Sequence, residues 1–228
     1  MNRIGIIAAM QPEMELIKES IESCEKVNEL GIEFYVGNIG NTDVVLSLCG
    51  VGKVNASMAT AILISSFECN LIINSGIAGG VAPLNTKDVV VASSLMYHDF
   101  DTTLFGYAYG QVPQMPKEFV VNPNALMLVE STLNKLNIEY KTAKIYSGDQ
   151  FVSSLDALKN VGEPTNCAVE MEGAAIAHVA TKAGVDFIVI RFISDIIGAD
   201  KQVDDYLAFE SEMAKKSANI TLQLLNNL

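Results

Sequence analysis

Arginine is nearly absent from this 228-residue chain: of fifteen Lys and Arg residues, only Arg3 and Arg191 are arginines. Arg is the usual choice for bidentate recognition of phosphate, so a protein handling free phosphate or a nucleotide would be expected to carry more. Histidine is just as scarce. With only His98 and His178 there is no HExxH pair and no Ser-His-Asp set. His178 sits in an apolar helical stretch and reads as a core residue. The four cysteines, Cys24, Cys49, Cys69 and Cys167, lack CxxC spacing. That argues against a zinc site or disulfide frame and leads us to expect reduced, buried thiols in a cytoplasmic protein. No apolar run is long enough to span a bilayer. Asn2 and Arg3 lead straight into IGIIAAM, so neither a secretion signal nor a membrane association is expected.

What is present narrows the reading further. A formal charge of −12 disfavours nucleic acid as a partner, since phosphate contacts need a basic surface. Half of the residues are hydrophobic, enough for one globular domain over 1–228, and no linker or repeat divides it. Strand and helix patterns alternate. Ile4–Met10 reads as a buried strand and Glu13–Ser23 as an amphipathic helix; Ile32–Ile39 and Asp43–Cys49 read as a hairpin. The loop GVGKV (Gly50–Val54) leads into a helix over Asn55–Phe67. A strand at Leu71–Ser75 ends in a second glycine loop, GIAGG (Gly76–Gly80). Further strands are expected at Asp88–Ser93, Tyr140–Ser147, Cys167–Met171 and Asp186–Ile193, with helices at Asn124–Leu136, Gly173–Ala183 and Asp204–Leu225. This order implies an α/β fold with a mixed or mostly parallel sheet and helices on both faces. The segment Phe105–Lys117, FGYAYGQVPQMPK, fits no period and reads as a functional or interfacial loop.

With histidine and cysteine set aside, the chemistry must rest on carboxylates. Strand ends are where α/β sheets collect ligands, and acids gather there: Glu13, Asp149, Glu170 with Glu172, and Asp195. Asp195 follows the apolar run FIVIRFIS, so its carboxyl is desolvated and held toward the protonated form, which suits a general acid. Arg191 lies four residues earlier, on the same face of a regular strand as Ile193 and Asp195. Buried, it needs an acid partner, which Glu172 or Glu13 could supply. In AVEMEGAAIAHVA, Glu170 and Glu172 open an apolar segment. They are either helix-start acids or, as we favour, two carboxylates straddling a strand end. The loop GVGKV lacks both the GxxxxGK[ST] spacing and a GxGxxG continuation, so it is no phosphate cradle; both glycine loops read as tight turns or as close backbone approaches to a flat ligand.

Taken together, IGIIAAM with a following Glu, CGVGKVNA, INSGIAGG, YHDFD, FGYAYGQVP, SGDQFV, AVEMEGAAIAHV and IRFISD resemble the 5'-methylthioadenosine/S-adenosylhomocysteine nucleosidases of the nucleoside phosphorylase superfamily. The similarity runs from Ile4 to the terminal helix. It implies a three-layer α/β/α fold with a central mixed, largely parallel twisted sheet. It also implies hydrolysis of the N-glycosidic bond of methylthioadenosine, adenosylhomocysteine and 5'-deoxyadenosine, with no cofactor and no metal. By the same resemblance Asp195 would protonate adenine N7, and Glu13 would accept a proton from the attacking water. Met171 and Glu172 would hold the ribose, and Arg191 would help orient Glu172 and the water. Phe151 would stack on adenine, the Val152 backbone would bond its edge, Ala78 and Gly79 would line the base pocket, and Ser194 would sit beside the acid. Phe105, Tyr107 and Pro113 would reach across a homodimer to wall the 5' substituent.

Two positions depart from the family pattern. Pro12 replaces an acid beside Glu13, and Ile77 stands where relatives often carry a small or hydroxyl residue. Three alternatives stay open on sequence: a phosphorolytic relative, a relative acting on another purine compound such as futalosine, and a non-catalytic nucleoside-binding module. Retention of Glu13, Glu172, Arg191 and Asp195 speaks against the last.

Overall fold

The computed structural model describes residues 3–162 and 164–227; Asn2, read above as leading into the first strand, lies outside them. The strands are β1 (Arg3–Ala8), β2 (Glu22–Glu29), β3 (Ile32–Ile39), β4 (Thr42–Leu48), β5 (Leu71–Gly80), β6 (Val89–Tyr97), β7 (Phe119–Val120), β8 (Lys141–Ser147), β9 (Cys167–Glu170) and β10 (Asp186–Ile196). The helices are α1 (Gln11–Glu19), α2 (Lys53–Ser65), α3 (Pro123–Lys135), α4 (Gly173–Ala183) and α5 (Gln202–Leu225). The sheet is mixed, and part of it closes on itself: β5 pairs with β10, β10 with β6, β6 with β8, β8 with β9, and β9 with β5. From β5 it continues outward through β1, β4, β3 and β2. Helix α5 packs on α1 and α3 and covers β5 and β10, while α2 pairs with α4 against β1, β8 and β10.

The buried apolar residues of β1, β4, β5, β6 and β10 form one continuous core, with Ile6, Ile7, Val45, Ile72, Ile73, Val90 and Ile190 almost fully covered. Strands buried on both faces read as apolar runs rather than alternations, which is why these were legible. No helix among the described residues is long and apolar enough to cross a membrane.

Several elements differ from the sequence reading. Helix α1 ends at Glu19, and ESCEKVNE, expected to begin as helix, forms edge strand β2. Its side chains are mostly exposed and half of them are charged, as suits a sheet edge that must not recruit another chain. Only its pairing with β3, through a turn with Leu30 and Gly31 at positive φ, makes it a strand. Cys24 on that edge is exposed, so three thiols are buried and not four. The GIAGG stretch is not a loop: β5 runs through it to Gly80, paired with β10. Strand β10 likewise runs past Ile193 to Ile196. The register shifts between Ile193 and Asp195, a bulge at Ser194 that breaks the alternation expected to place Arg191 and Asp195 on one face.

Candidate active site

A pocket opens at the carboxyl ends of β1, β5, β9 and β10, lined among others by Met10, Glu13, Ile77, Phe151, Met171, Glu172, Asp195 and Tyr206. Each acid there is placed by its own local device.

Glu13 sits in the first turn of α1, where its carboxylate reaches back to the chain entering the helix. Its Oε2 accepts from Ala9 N–H at 2.9 Å and Met10 N–H at 3.1 Å, and its Oε1 from Ile77 N–H at 3.3 Å. A Cβ on Gly76 would land against Oε1, so this glycine makes room for the carboxylate. Burial raises the Glu13 pKa, and the Arg191 charge and the three N–H donors only partly oppose that.

Asp195 lines the same pocket from β10. Its Oδ1 accepts from Ser194 Oγ at 2.6 Å and its Oδ2 from Gln202 Nε2 at 2.8 Å. Gly79, its neighbour across the β5–β10 pairing, keeps the approach open: a Cβ there would lie 3.2 Å from Oδ2. Desolvation raises the Asp195 pKa, the two donors lower it, and Asp205 raises it further. Gly76 and Gly79 of INSGIAGG thus turn their bare faces toward Glu13 and Asp195 respectively.

Glu170 and Glu172 straddle the β9–α4 junction and divide the work. Glu170, the last residue of β9, forms a buried ion pair with Arg191. It also accepts from the Ser147 hydroxyl, from Gly173 N–H at 2.7 Å and from Glu172 N–H at 3.2 Å. Glu172, at the start of α4, turns to the pocket and accepts from Gly52 N–H at 2.9 Å. Burial, with Glu170 adding to it, pushes its carboxyl up to about 7. The partner of Arg191 is therefore Glu170, and neither Glu172 nor Glu13 as the sequence reading allowed. Arg191 lies beneath the pocket, donating also to Asn74 and to the Ile190 carbonyl, while its Nε has no partner.

The other expected residues fall as follows. Ala78, Gly79, Val152 and Ser194 line the pocket with Met171. The Phe151 ring is edge-on to Tyr206, with centroids 5.5 Å apart. Phe105, Tyr107 and Pro113 do not line it: Phe105 is 75% exposed and Leu104 beside it 90%. Their loop is nonetheless built, with Gly110 N–H on the Phe100 carbonyl, Thr102 Oγ1 on the Gln111 carbonyl, and Gln111 bridging Ala108 and Met115. Three donors of the GVGKV turn are taken up within the protein. Gly52 N–H goes to Glu172, Lys53 N–H to Asp149 at 2.8 Å, and Lys53 Nζ to Asp99 at 2.6 Å. His178 is half-buried, hydrogen-bonded to the Tyr97 hydroxyl and stacked on Phe119.

Gln202 and Tyr206, both lining the pocket, were missed in the sequence. The signal available was their i, i+4 spacing at the head of α5, which puts both on one helix face.

The phosphorylase superfamily family model matches residues 3–226. The 5'-methylthioadenosine/S-adenosylhomocysteine nucleosidase of Geobacillus sp. is 38% identical over 99% of each chain. The chain belongs to this nucleosidase family. The S-adenosylhomocysteine nucleosidase of Streptococcus pyogenes, solved with 5-methylthiotubericidin, superposes with a TM-score of 0.93 at 38% identity, covering 100% of this chain and 97% of that one. The futalosine hydrolase of Helicobacter pylori also matches, with a TM-score of 0.93 at 31% identity over 100% of this chain and 98% of its own. The two departures from the nucleosidase pattern are absorbed locally. Pro12 occupies the first turn of α1, where no N–H is required of it, and Ile77 contributes a backbone N–H to Glu13 whatever its side chain.

Proposed function

We propose that this protein hydrolyses the N-glycosidic bond of 5'-thio-substituted adenosines, methylthioadenosine and adenosylhomocysteine, with 5'-deoxyadenosine as a further substrate. The observation that carries the reading is the charge of the pocket: its ionisable lining groups include four carboxyls, and no Lys or Arg lines it among the described residues. Both arginines are committed elsewhere, Arg191 to Glu170 and Arg3 to Asp43 at 2.8 Å. An attacking phosphate would find no fork to bind it, whereas water needs only a base.

In this reading Asp195, kept protonated by burial, donates to adenine N7 so that the base leaves neutral. Ser194 then steadies the carboxylate left behind. Glu13 takes a proton from water on the opposite side, its carboxylate already oriented by three N–H groups. Glu172 accepts the ribose hydroxyls, helped by the Met171 backbone, and its charge favours the oxocarbenium-like state. Arg191 acts through Glu170, which fixes the β9–α4 junction from which Glu172 projects. Phe151 and the Val152 backbone hold the purine, with Ala78 and Gly79 beneath it.

The wall for the 5' substituent comes from a second copy. Support for this is the exposure of Leu104 and Phe105 on a loop held by its own hydrogen bonds: a stiff apolar tip is a docking element and not a floppy one. Phe105, Tyr107 and Pro113 of each protomer would close the other's pocket, so light scattering at micromolar concentration should give the mass of two chains.

The direct test is adenine release from methylthioadenosine, adenosylhomocysteine and 5'-deoxyadenosine, with and without millimolar phosphate. Free sugar and a phosphate-independent rate are expected; a sugar 1-phosphate would sink the hydrolytic reading. The match to a futalosine hydrolase favours one second reading, a 6-oxopurine substrate. Futalosine in the same assay decides between them by releasing hypoxanthine faster than the thioadenosines release adenine.

A further inference from the structure

Gln202 is 5% exposed, although glutamine is mostly a surface residue. Every group of its amide is used. Nε2 donates to the Val152 carbonyl at 2.9 Å and to Asp195 Oδ2 at 2.8 Å, and Oε1 accepts from Gly198 N–H at 3.0 Å. These partners fix the amide's orientation, because a flip would set Oε1 against two acceptors and the NH₂ against an N–H. They also belong to three separate pieces of chain: the bulged end of β10, the turn after it, and the Phe151–Val152 segment of the pocket lining.

We propose that Gln202 is a positioning residue for the reaction, its amide tying the proton-donating carboxyl of Asp195 to the Val152 segment that holds the purine. This rests on the reading of Asp195 as proton donor. One side chain then sets both the distance between acid and base-binding backbone and the environment of the acid. With Ser194 on Oδ1 and Gln202 on Oδ2, both carboxylate oxygens have a donor after the proton has left. A donor to the charged form lowers the pKa of a carboxyl, so Gln202 opposes the burial that keeps Asp195 protonated. The remaining titratable groups around Asp195 are Glu13, Glu172 and Tyr206 in the pocket wall, Glu170 at its floor and Asp205 on α5. None of them changes when Gln202 is replaced.

The experiment measures the pH profile of kcat/KM for methylthioadenosine, together with adenine affinity, in Gln202→Met and Gln202→Glu. The alkaline limb of kcat/KM reports the essential acid of the free enzyme. Its position does not depend on how much of the preparation is folded, so a partly unfolded variant still answers. Gln202→Met removes the donor at nearly constant volume and should move that limb up by about half a pH unit or more. Gln202→Glu adds a negative charge beside the acid and should move it further. In both, kcat should fall about tenfold, the order expected when an acid is loosened rather than removed, and adenine should bind less tightly. A limb that stays at the wild-type pH in both variants, with unchanged adenine affinity, overturns the proposal. Asp195→Asn in the same assay separates the two claims. If it remains active, the donor reading itself fails; if it is inactive while the Gln202 variants keep the wild-type limb, only the role of Gln202 falls.

Discussion

Glu170 and Glu172 are two residues apart and about equally buried, yet they live in different worlds. Glu170 faces the floor beneath the pocket, where it meets a guanidinium, a hydroxyl and two backbone N–H groups. Glu172, like Glu13 and Asp195, faces the pocket with only neutral donors, and burial pushes all three toward the protonated form. A buried carboxylate with its own cation is part of the framework. One held by neutral donors keeps lone pairs and a proton affinity to spend on a ligand. The floor region stabilises; the wall region reacts.

The comparison breaks if a wall acid can be neutralised without loss of rate. Glu13→Gln keeps the size of the side chain but cannot take a proton, and the turnover of methylthioadenosine should fall by about 10²–10⁴-fold. Steady-state kinetics on folded protein checks this. On the floor, Glu170→Gln leaves the Arg191 guanidinium buried without a counter-charge. Urea denaturation should show a stability loss of about 3–5 kcal/mol, with the rate per folded molecule reduced less than in Glu13→Gln.

A smaller effect sharpens the distinction through pH. Because the Glu172 pKa is raised in the folded state, its contribution to stability is fully present below the ordinary carboxylate range and is lost as pH rises through about 7. Wild type should therefore lose roughly 3 kcal/mol relative to Glu172→Gln across that window, taking ~1.4 kcal/mol per pKa unit. A pH-independent difference between the two unfolding free energies would place Glu172 with the floor.

The wall acids were legible because each sits at or near the carboxyl end of a buried strand, and Asp195 in particular follows the largely apolar stretch FIVIRFIS. The pairing on the floor was not. Glu170 and Arg191 come from β9 and β10, which lie on either side of β5, and strand order cannot be read from a periodicity. The bulge at Ser194 left no mark either, because one extra residue in a strand looks like any other residue. β2 failed for a related reason: ESCEKVNE carries no apolar alternation, and its strand conformation comes from β3 alone. GIAGG was misread as a loop because glycine is poor in strands. Here a bare backbone is what admits the Glu13 and Asp195 carboxyls against β5.

Asp195→Asn tests the central claim most directly, with rate and unfolding midpoint measured on the same preparation. The amide matches the carboxyl in size; its oxygen can still accept from Gln202 and its NH₂ can donate to the Ser194 hydroxyl. The midpoint should therefore stay near wild type while adenine release from methylthioadenosine falls at least a hundredfold, the lower end of what a general acid contributes, ~10²-fold. A variant that keeps more than about a tenth of the wild-type rate, outside that range of loss, would contradict the account.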